Sequence, residues 1–430
     1  MVWQTHQFVY ICSMFQSKWS LAFFGLILLA MEYYSYTAVS MATRALQPKW
    51  RVSILVIYII IAVFGWIGFL LIRNISGLYP QNIKALIIAS VMGIFISKVI
   101  IASLMLLGDV FRLFSWLASL VGASKTVAAS SSENAISRSV FLSRTALLLG
   151  GLMLGGFVWG TTNRYRYNIK KLRLAIKGLP DALKGLKIVQ ISDIHSGSFD
   201  NKEAVAHGVA QIMEQHPDLI LFTGDIVNDR ASELEPYMDI FSRLKAPLGV
   251  FSTLGNHDYG DYVQWENAAA KIQNLETLKG YHKQMGWQLL MNEHVILEKG
   301  GASFALLGVE NWSAKARFPK HGQLQKAYEG LGAQALPLKI LMSHDPSHWD
   351  AQIRSSYPDI DLTLSGHTHG MQFGIELPWM KWSPVQYMYK QWAGLYSDGQ
   401  QHLYVNRGFG FLGYQGRLGI LPEITVIELA

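Results

Sequence analysis

Two patterns of apolar residues divide the chain near residue 163. Before it, long apolar runs carry few charges, whereas after about residue 186 short β-rich runs alternate with longer amphipathic segments. A helix needs roughly 20 apolar residues to cross the hydrocarbon core of a bilayer. We therefore expect a membrane region at 1–163, a linker at 164–185 and a folded domain at 186–430.

The membrane region contains four apolar stretches, Leu21–Val39, Ser53–Ile72, Ala85–Leu107 and Ala146–Trp159. The fourth is short and rich in glycine, so three transmembrane helices remain the alternative to four. Two ionisable residues, Glu32 and Lys98, interrupt otherwise apolar runs. They form either a polar site within the bundle or an ordinary pair between helices, and snorkelling or pairing is favoured.

In the second half, each of several short apolar runs is followed by polar residues. Alternation of such runs with helical segments predicts an α/β layered domain with a buried sheet. Ligand-binding groups collect just past the carboxyl ends of strands in these sheets. Five runs end on such groups: Asp193 and His195, Gly224-Asp225, Gly255-Asn256-His257-Asp258, Ser343-His344-Asp345, and Gly366-His367-Thr368-His369-Gly370.

The residue types at these strand ends indicate a metal site. Carboxylate oxygen, amide oxygen and imidazole nitrogen bind divalent manganese, iron and zinc alike. Two such ions about 3.5–4 Å apart need an anionic bridge, for which Asp225 is the candidate. Gly224 before it allows the backbone to turn and to approach closely.

The order of these motifs resembles the calcineurin-like metallophosphoesterases over roughly residues 186–430. The membrane region, together with Asn406-Arg407-Gly408-Phe409-Gly410 and Leu421-Pro422-Glu423-Ile424, is similar to the "transmembrane protein with metallophosphoesterase domain" group. The resemblance implies N-terminal transmembrane helices followed by a four-layer αββα metallophosphoesterase sandwich. It also implies an integral-membrane, metal-dependent phosphoric ester hydrolase with two divalent ions.

The resemblance further implies a role for each candidate residue. Asp225 would be shared by both ions, and His257 would lie beside the scissile phosphate. In the mechanism that we expect, His257 stabilises the developing charge or protonates the leaving oxygen, and Asp258 is the candidate for orienting it. One position departs from some relatives, which have Asp where this chain has Asn228. The remaining ligands divide into Asp193, His195 and His369 for one ion and Asn256, His344 and His367 for the other.

Charge limits the classes of substrate. The net charge of +7 comes from the first 163 residues, and the rest of the chain is close to neutral. Nucleic acid is therefore disfavoured as a partner, because no global basic field surrounds the predicted site. A phosphate-containing small molecule or lipid is expected instead, such as UDP-2,3-diacylglucosamine, the substrate of some enzymes in the wider superfamily.

Two alternatives stay open: a nucleotide phosphodiesterase or nuclease, and a catalytically silent membrane scaffold on the same fold. The expected location is the cell membrane or an inner membrane. A small excess of Lys and Arg around the predicted spans favours a cytoplasmic catalytic domain. The oligomeric state is not predicted.

Two further features have two interpretations each. Arg407 either binds a phosphate or makes a structural salt bridge. A segment rich in aromatic and basic residues either touches lipid and admits a lipid-linked substrate or packs as a cap on the domain. Its members are Trp379, Lys381, Trp382, Tyr387, Tyr389, Lys390 and Trp392.

Overall fold

The computed structural model describes residues 18–71, 81–120, 137–332 and 334–430. These residues form two compact units that divide between Thr161 and Thr162. Ile72, the last residue of the second predicted apolar stretch, lies outside the described residues.

The described residues of the first unit form four helices, each long and apolar enough to cross a membrane. The prediction of four spans rather than three is therefore confirmed. The helices are α1 (Lys18–Ala42), α2 (Pro48–Leu71), α3 (Gln81–Leu120) and α4 (Arg138–Gly160).

Small and polar residues hold these helices together. Gly150 of α4 lies against Ile101 of α3, so close that a Cβ atom there would come within 2.8 Å of the Ile101 side chain. Small residues allow such close packing where lipid gives no hydrophobic drive for helix association. Lys98 Nζ lies 2.6 Å from Glu32 Oε2, and Trp66 donates to the same oxygen at 3.1 Å. The interpretation of Glu32 and Lys98 as a pair between helices is thus confirmed.

The second unit is built around two six-stranded sheets. The first has the strand order β1-β14-β2-β3-β4-β5, the second has the order β12-β13-β9-β8-β7-β6, and β10 and β11 form a separate hairpin. Strands β1 to β7 are Asn168–Leu174, Lys187–Ile191, Leu219–Phe222, Val250–Ser252, Gln288–Leu289, Glu293–Lys299 and Ala302–Gly308. Strands β8 to β14 are Lys339–Met342, Leu362–Ser365, Ile375–Leu377, Met380–Trp382, Gly394–Asp398, Gln401–Val405 and Glu423–Leu429. The helices are α5 (Lys202–Met213), α6 (Met238–Phe241), α7 (Ala268–Gln284), α8 (Leu324–Tyr328) and α9 (Arg354–Ser356).

Three clusters of buried apolar side chains pack the layers of this unit against one another. Alternate residues of a strand point to opposite faces, so Ile188 lies in the core between the sheets while Val189 faces the outer helices. On the outer face of the first sheet, Val189 belongs to the same core as Val205 and Leu278 of α5 and α7. The second sheet is covered in the same way by α8 and the segment around Trp349. The four-layer αββα prediction is confirmed.

The segment expected to be a linker, 164–185, contains strand β1. This strand pairs in parallel with β14, in a register that sets Asn168 opposite Glu423 and Leu174 opposite Leu429. Its sequence, Asn-Ile-Lys-Lys-Leu-Arg-Leu, alternates imperfectly and carries three cations, as is common in an edge strand. The pairing partner lies at the other end of the domain, so the local sequence gave no sign of it.

Candidate metal centre

Five strands bring the candidate residues to one edge of the two sheets. Strands β2, β3 and β4 run parallel in the first sheet, and β8 and β9 run parallel in the second. Parallel strands end at the same edge, so the loops that follow them meet there. The five motifs singled out from the sequence all lie on these loops.

One cluster consists of Asp193, His195 and His369, all buried. The two imidazole Nε2 atoms are 3.0 Å apart, and His369 Nε2 lies 3.2 Å from Asp193 Oδ1. Candidate donor atoms of the three residues all lie within 4.8 Å of one another. A divalent cation at this position would be coordinated by one donor atom from each of the three residues.

A second cluster consists of Asp225, His344 and His367, with donor atoms again within 4.8 Å of one another. His367 Nδ1 lies 3.3 Å from His344 Nε2, which lies 3.1 Å from Asp225 Oδ2. The same Asp225 oxygen is 3.6 Å from His195 Nε2 of the first cluster. Asp225 therefore lies between the two clusters.

Hydrogen bonds fix which nitrogen of His344 faces the site. Its Nδ1–H donates to the Thr223 carbonyl at 2.7 Å, so in the neutral ring the lone pair is on Nε2 and faces the Asp225 carboxylate. Two acceptors at that separation need a positive charge between them. Burial opposes a proton on His344, but the Asp225 carboxylate outweighs it and raises the pKa of His344 to about 10. Metal cations would meet the same need, and the donor set fits them.

Burial and neighbouring charges also shift the pKa values of several other candidate ligands and of His257. Burial opposes charge on Asp225, but the neighbouring His344 holds the pKa of that carboxyl well below its usual range. Burial lowers the pKa of His367 to about 4 and also lowers the pKa values of His195 and His257. Neutral imidazoles at His195 and His367 beside ionised carboxylates are the protonation states that cation binding requires, whereas a cation bound by His344 would displace its proton.

The backbone is strained at the candidate ligands. Asp193, His195, Asp225, His367 and His369 all have positive φ, between 49° and 70°. Left-handed conformations are uncommon for residues other than glycine, and they persist where the surrounding structure imposes them, often at functional sites. At Gly224, with φ of +98°, a Cβ atom would lie 2.5 Å from the Gly255 amide nitrogen. The expected close approach at Gly224 is thus present.

Asn256 and His257 follow β4 at the side of the Asp225 carboxylate. The His257 amide donates to Asp225 Oδ1 at 2.8 Å. Asn256 Nδ2 donates to the Tyr262 hydroxyl, and its Oδ1 is buried without a hydrogen-bond partner among the described residues. A buried, unpaired amide oxygen is costly unless something binds it, which suits a cation ligand.

Asp258 has a different environment from the one expected. Its carboxylate accepts from the backbone amides of Asp225, Ile226 and Gly255, each at 2.8 Å. The imidazole Nδ1 of His257 instead donates to the Asn228 carbonyl at 2.8 Å. Asp258 therefore fixes the turn that carries Asp225. The main-chain carbonyl of Asn228 orients the His257 ring, so the side chain of residue 228 is not critical for that contact.

Sequence reasoning missed Arg417, which is fully buried. Its guanidinium donates to the carbonyls of Arg407 at 2.8 Å, His369 at 3.2 Å and Gly408 at 3.2 Å, and also to that of Gly410. Gly410 in turn donates to the Asp193 carbonyl at 2.9 Å. Arg417 thus braces the loops behind Asp193 and His369, although no local motif marked it.

The contacts of Arg407 settle its two interpretations. The guanidinium pairs with Glu423 and lies 2.8 Å from Glu376 Oε1. It makes a buried structural salt bridge, and the phosphate-binding interpretation is wrong.

Different residues of the aromatic and basic segment fit each of its two interpretations. Tyr389 and Trp392 are buried in a small core with Val385, as a packed cap would be. Trp379 and Tyr387 are exposed, by 81% and 78%. Tyr389 also contacts the site, because its hydroxyl lies 2.9 Å from His367 Nε2 and donates to Asp345 Oδ2 at 3.1 Å.

Comparison with known proteins identifies the family. Residues 186–371 match the family described as "Calcineurin-like phosphoesterase", and residues 17–164 match "Probable Calcineurin-like phosphoesterase, transmembrane domain". The uncharacterized metallophosphoesterase YkuE of Bacillus subtilis is 31% identical over 66% of this chain and 93% of its own length. The chain belongs to the calcineurin-like phosphoesterase family. It is accordingly a membrane protein and a metal-dependent phosphoester hydrolase.

Two other relatives carry the same domain. The transmembrane protein with metallophosphoesterase domain of Danio rerio is 29% identical over 70% of this chain and 65% of its own length. Phosphodiesterase YaeI of Escherichia coli is 28% identical over 68% of this chain and 99% of its own length. The match to the transmembrane family covers all four apolar helices described above.

Proposed function

We propose that this chain is an integral-membrane phosphoesterase that uses two divalent cations to hydrolyse a phosphodiester or pyrophosphate bond in a lipid or lipid-linked substrate. The observation that carries the proposal is the position of Asp225. Its Oδ2 is 3.1 Å from His344 Nε2 and 3.6 Å from His195 Nε2, so one carboxylate serves both clusters. A shared anion offsets the repulsion of two cations about 3.5–4 Å apart.

Each cation would have its own set of donors. The first would take Asp193, His195 and His369, and the second Asn256, His344 and His367, with Asp225 common to both. Manganese, iron and zinc all suit this mixture of oxygen and nitrogen. When bound, the pair would supply an activated water and neutralise the charge of the phosphate oxygens.

His257 would act on the leaving group. Because its Nδ1–H donates to the Asn228 carbonyl, the other ring nitrogen, Nε2, is the one that exchanges a proton during the reaction. A proton held there would stabilise the developing charge on the leaving oxygen or be transferred to it. Asp258 would contribute indirectly, by holding the Asp225 turn.

The substrate class follows from the membrane helices and the charge distribution. A lipid-linked phosphoester such as UDP-2,3-diacylglucosamine suits an enzyme with four candidate spans. We place the catalytic domain on the cytoplasmic face, as the flanking charges favour. A nuclease would need an extended basic surface along the nucleic acid, whereas the chain after residue 163 is nearly neutral overall. A silent scaffold would not need to keep five of the seven donors at strained backbone positions.

Hydrolysis of bis(p-nitrophenyl) phosphate by the full-length protein in detergent, loaded with manganese, tests the proposal. Asp225→Asn should lower kcat/KM at least a hundredfold, because both cations lose their shared anion. His257→Ala should lower kcat by about 10²–10⁴-fold while cations still bind, as expected for loss of a general acid. Asp239→Asn, an exposed carboxylate change on α6, is the matched control. Equal turnover by Asp225→Asn and the wild type would refute the proposal.

A further inference from the structure

The hairpin of β10 and β11 has its polar and apolar faces reversed. The side chains of its central pair, Glu376 and Lys381, contact the domain: Glu376 Oε1 lies 2.8 Å from Arg407 Nη2, and Lys381, although exposed, has its Nζ 5.0 Å from the Trp392 ring centroid. A hairpin on a water-exposed surface normally directs its apolar residues inward. Here the opposite face and the turn carry apolar side chains that are more than 40% exposed, at Ile375, Leu377, Trp379 and Met380, whereas Trp382 on the same face is partly buried.

The end of the β10–β11 hairpin lies beside the candidate metal centre. Ser383, directly after β11, donates to the Gly370 carbonyl at 2.8 Å, which attaches the hairpin to the residue after His369. Met371, two residues after His369, is a further apolar side chain that is 48% exposed. Exposed apolar patches of this kind mark binding surfaces.

A basic loop, residues 314–320, borders the other histidine of the same motif. The ring of Phe318 packs edge-to-face on His367, with centroids 4.6 Å apart. Three exposed cations of the loop make no ion pair with any acidic group of the described residues: Lys315, Arg317 and Lys320. Unpaired cations beside a phosphate site favour a ligand with additional negative charge.

We propose that the substrate is an amphiphile and that the domain binds it with two separate surfaces, one on either side of the His367–His369 loop. Its acyl chains would lie on the apolar face of β10–β11, and its headgroup would place negative charge beyond the scissile phosphate against loop 314–320. This inference rests on the proposed function and specifies how that site recognises a lipid. A lipid with an anionic headgroup is complementary both to the exposed cations of loop 314–320 and to the exposed apolar residues of the hairpin.

Competition against bis(p-nitrophenyl) phosphate hydrolysis tests the inference in the full-length, manganese-loaded protein. The probes are cytidine diphosphate dioleoylglycerol and cytidine diphosphate glycerol. Both contain a pyrophosphate, but only the first carries acyl chains. The lipid should inhibit at concentrations at least tenfold lower than the water-soluble probe. Trp379→Ser should reduce that ratio severalfold, and Ile272→Ser, at a residue equally apolar but far along the sequence on α7, should preserve it.

A second pair of variants tests the basic loop. Arg317→Gln should weaken inhibition by both probes severalfold, whereas Lys326→Gln on α8 should not. Equal inhibition by the two probes, or an unchanged ratio in Trp379→Ser, would overturn this inference while leaving the proposed function intact. A change of oligomeric state in Trp379→Ser with an unchanged ratio would assign the hairpin to contact between copies instead. Absence of hydrolysis by the wild type would remove the proposed function and this inference together.

Discussion

Replacing Asp258 with Asn distinguishes a role in the backbone of the Asp225 turn from a role on the His257 ring. The carboxylate takes strong hydrogen bonds from the amides of Asp225, Ile226 and Gly255. Burial and the charge of Asp225 raise the pKa of Asp258 to about 7, so at pH 8 the group is mostly ionised. Asn keeps one acceptor oxygen and turns an NH₂ donor toward at least one backbone amide.

The expected loss can be worked from these contacts. A hydrogen bond to a charged group contributes about 1.5–3 kcal/mol, and one or two are lost. Asn also removes a buried charge that is unfavourable at pH 8, because the pKa of Asp258 is raised in the folded protein, so the destabilisation is at most about 2–5 kcal/mol. For a unit of this size that corresponds to a fall in Tm of roughly 5–15 °C. Manganese affinity should fall as well, because the Asp225 turn is no longer fixed.

Thermal unfolding of the metal-free protein at pH 8 and calorimetric manganese titration measure the two effects. Asp239→Asn on exposed α6 makes the same chemical change without buried partners and should melt like the wild type. If Asp258→Asn kept the wild-type Tm and manganese affinity but lost turnover, Asp258 would act on His257 and would not fix the Asp225 turn.

Two further predictions concern buried charges near the site. Burial and Glu233 raise the pKa of Asp229 to about 9, so the folded metal-free protein keeps a proton that the unfolded chain releases near pH 3.9. The free energy of unfolding of the wild type should therefore fall as pH rises between these values, by at most about 1.4 kcal/mol per pH unit. The Tm of Asp229→Asn should exceed that of the wild type by an amount that grows from pH 6 to pH 8. A constant difference in Tm would contradict this. Arg417→Lys replaces a planar fork that reaches four carbonyls with a single ammonium, so Tm and manganese affinity should both fall. Arg173→Lys, at a largely exposed side chain, is its control, and equal behaviour of the two variants would exclude bracing by Arg417.

The strand ends were predictable because each core strand is a short apolar run followed at once by a polar motif. Asp193, Asp225 and His344 follow β2, β3 and β8 in this way, and parallel strands must end at one edge. The two-sheet arrangement and the division of the ligands came from family resemblance, since local pattern does not fix which strands pair.

Other features depended on distant contacts that no local pattern encodes. Strand β1 pairs with β14, more than 250 residues later, and its three cations hide its strand character. Arg417 lies in an ordinary loop sequence, and only the packed structure brings its guanidinium behind His369. The reversed hairpin faces were also invisible, because alternation gives two faces without saying which one turns inward.

Counting bound cations tests the central claim most directly. The full-length protein would be loaded with manganese, desalted and analysed by inductively coupled plasma mass spectrometry, beside Asp225→Asn and the exposed control Asp239→Asn. We predict two ions per chain in the wild type and the control, and at most one in Asp225→Asn, because its carboxylate lies between both clusters. Two ions retained in Asp225→Asn, or fewer than two in the wild type, would contradict a centre built on a shared carboxylate.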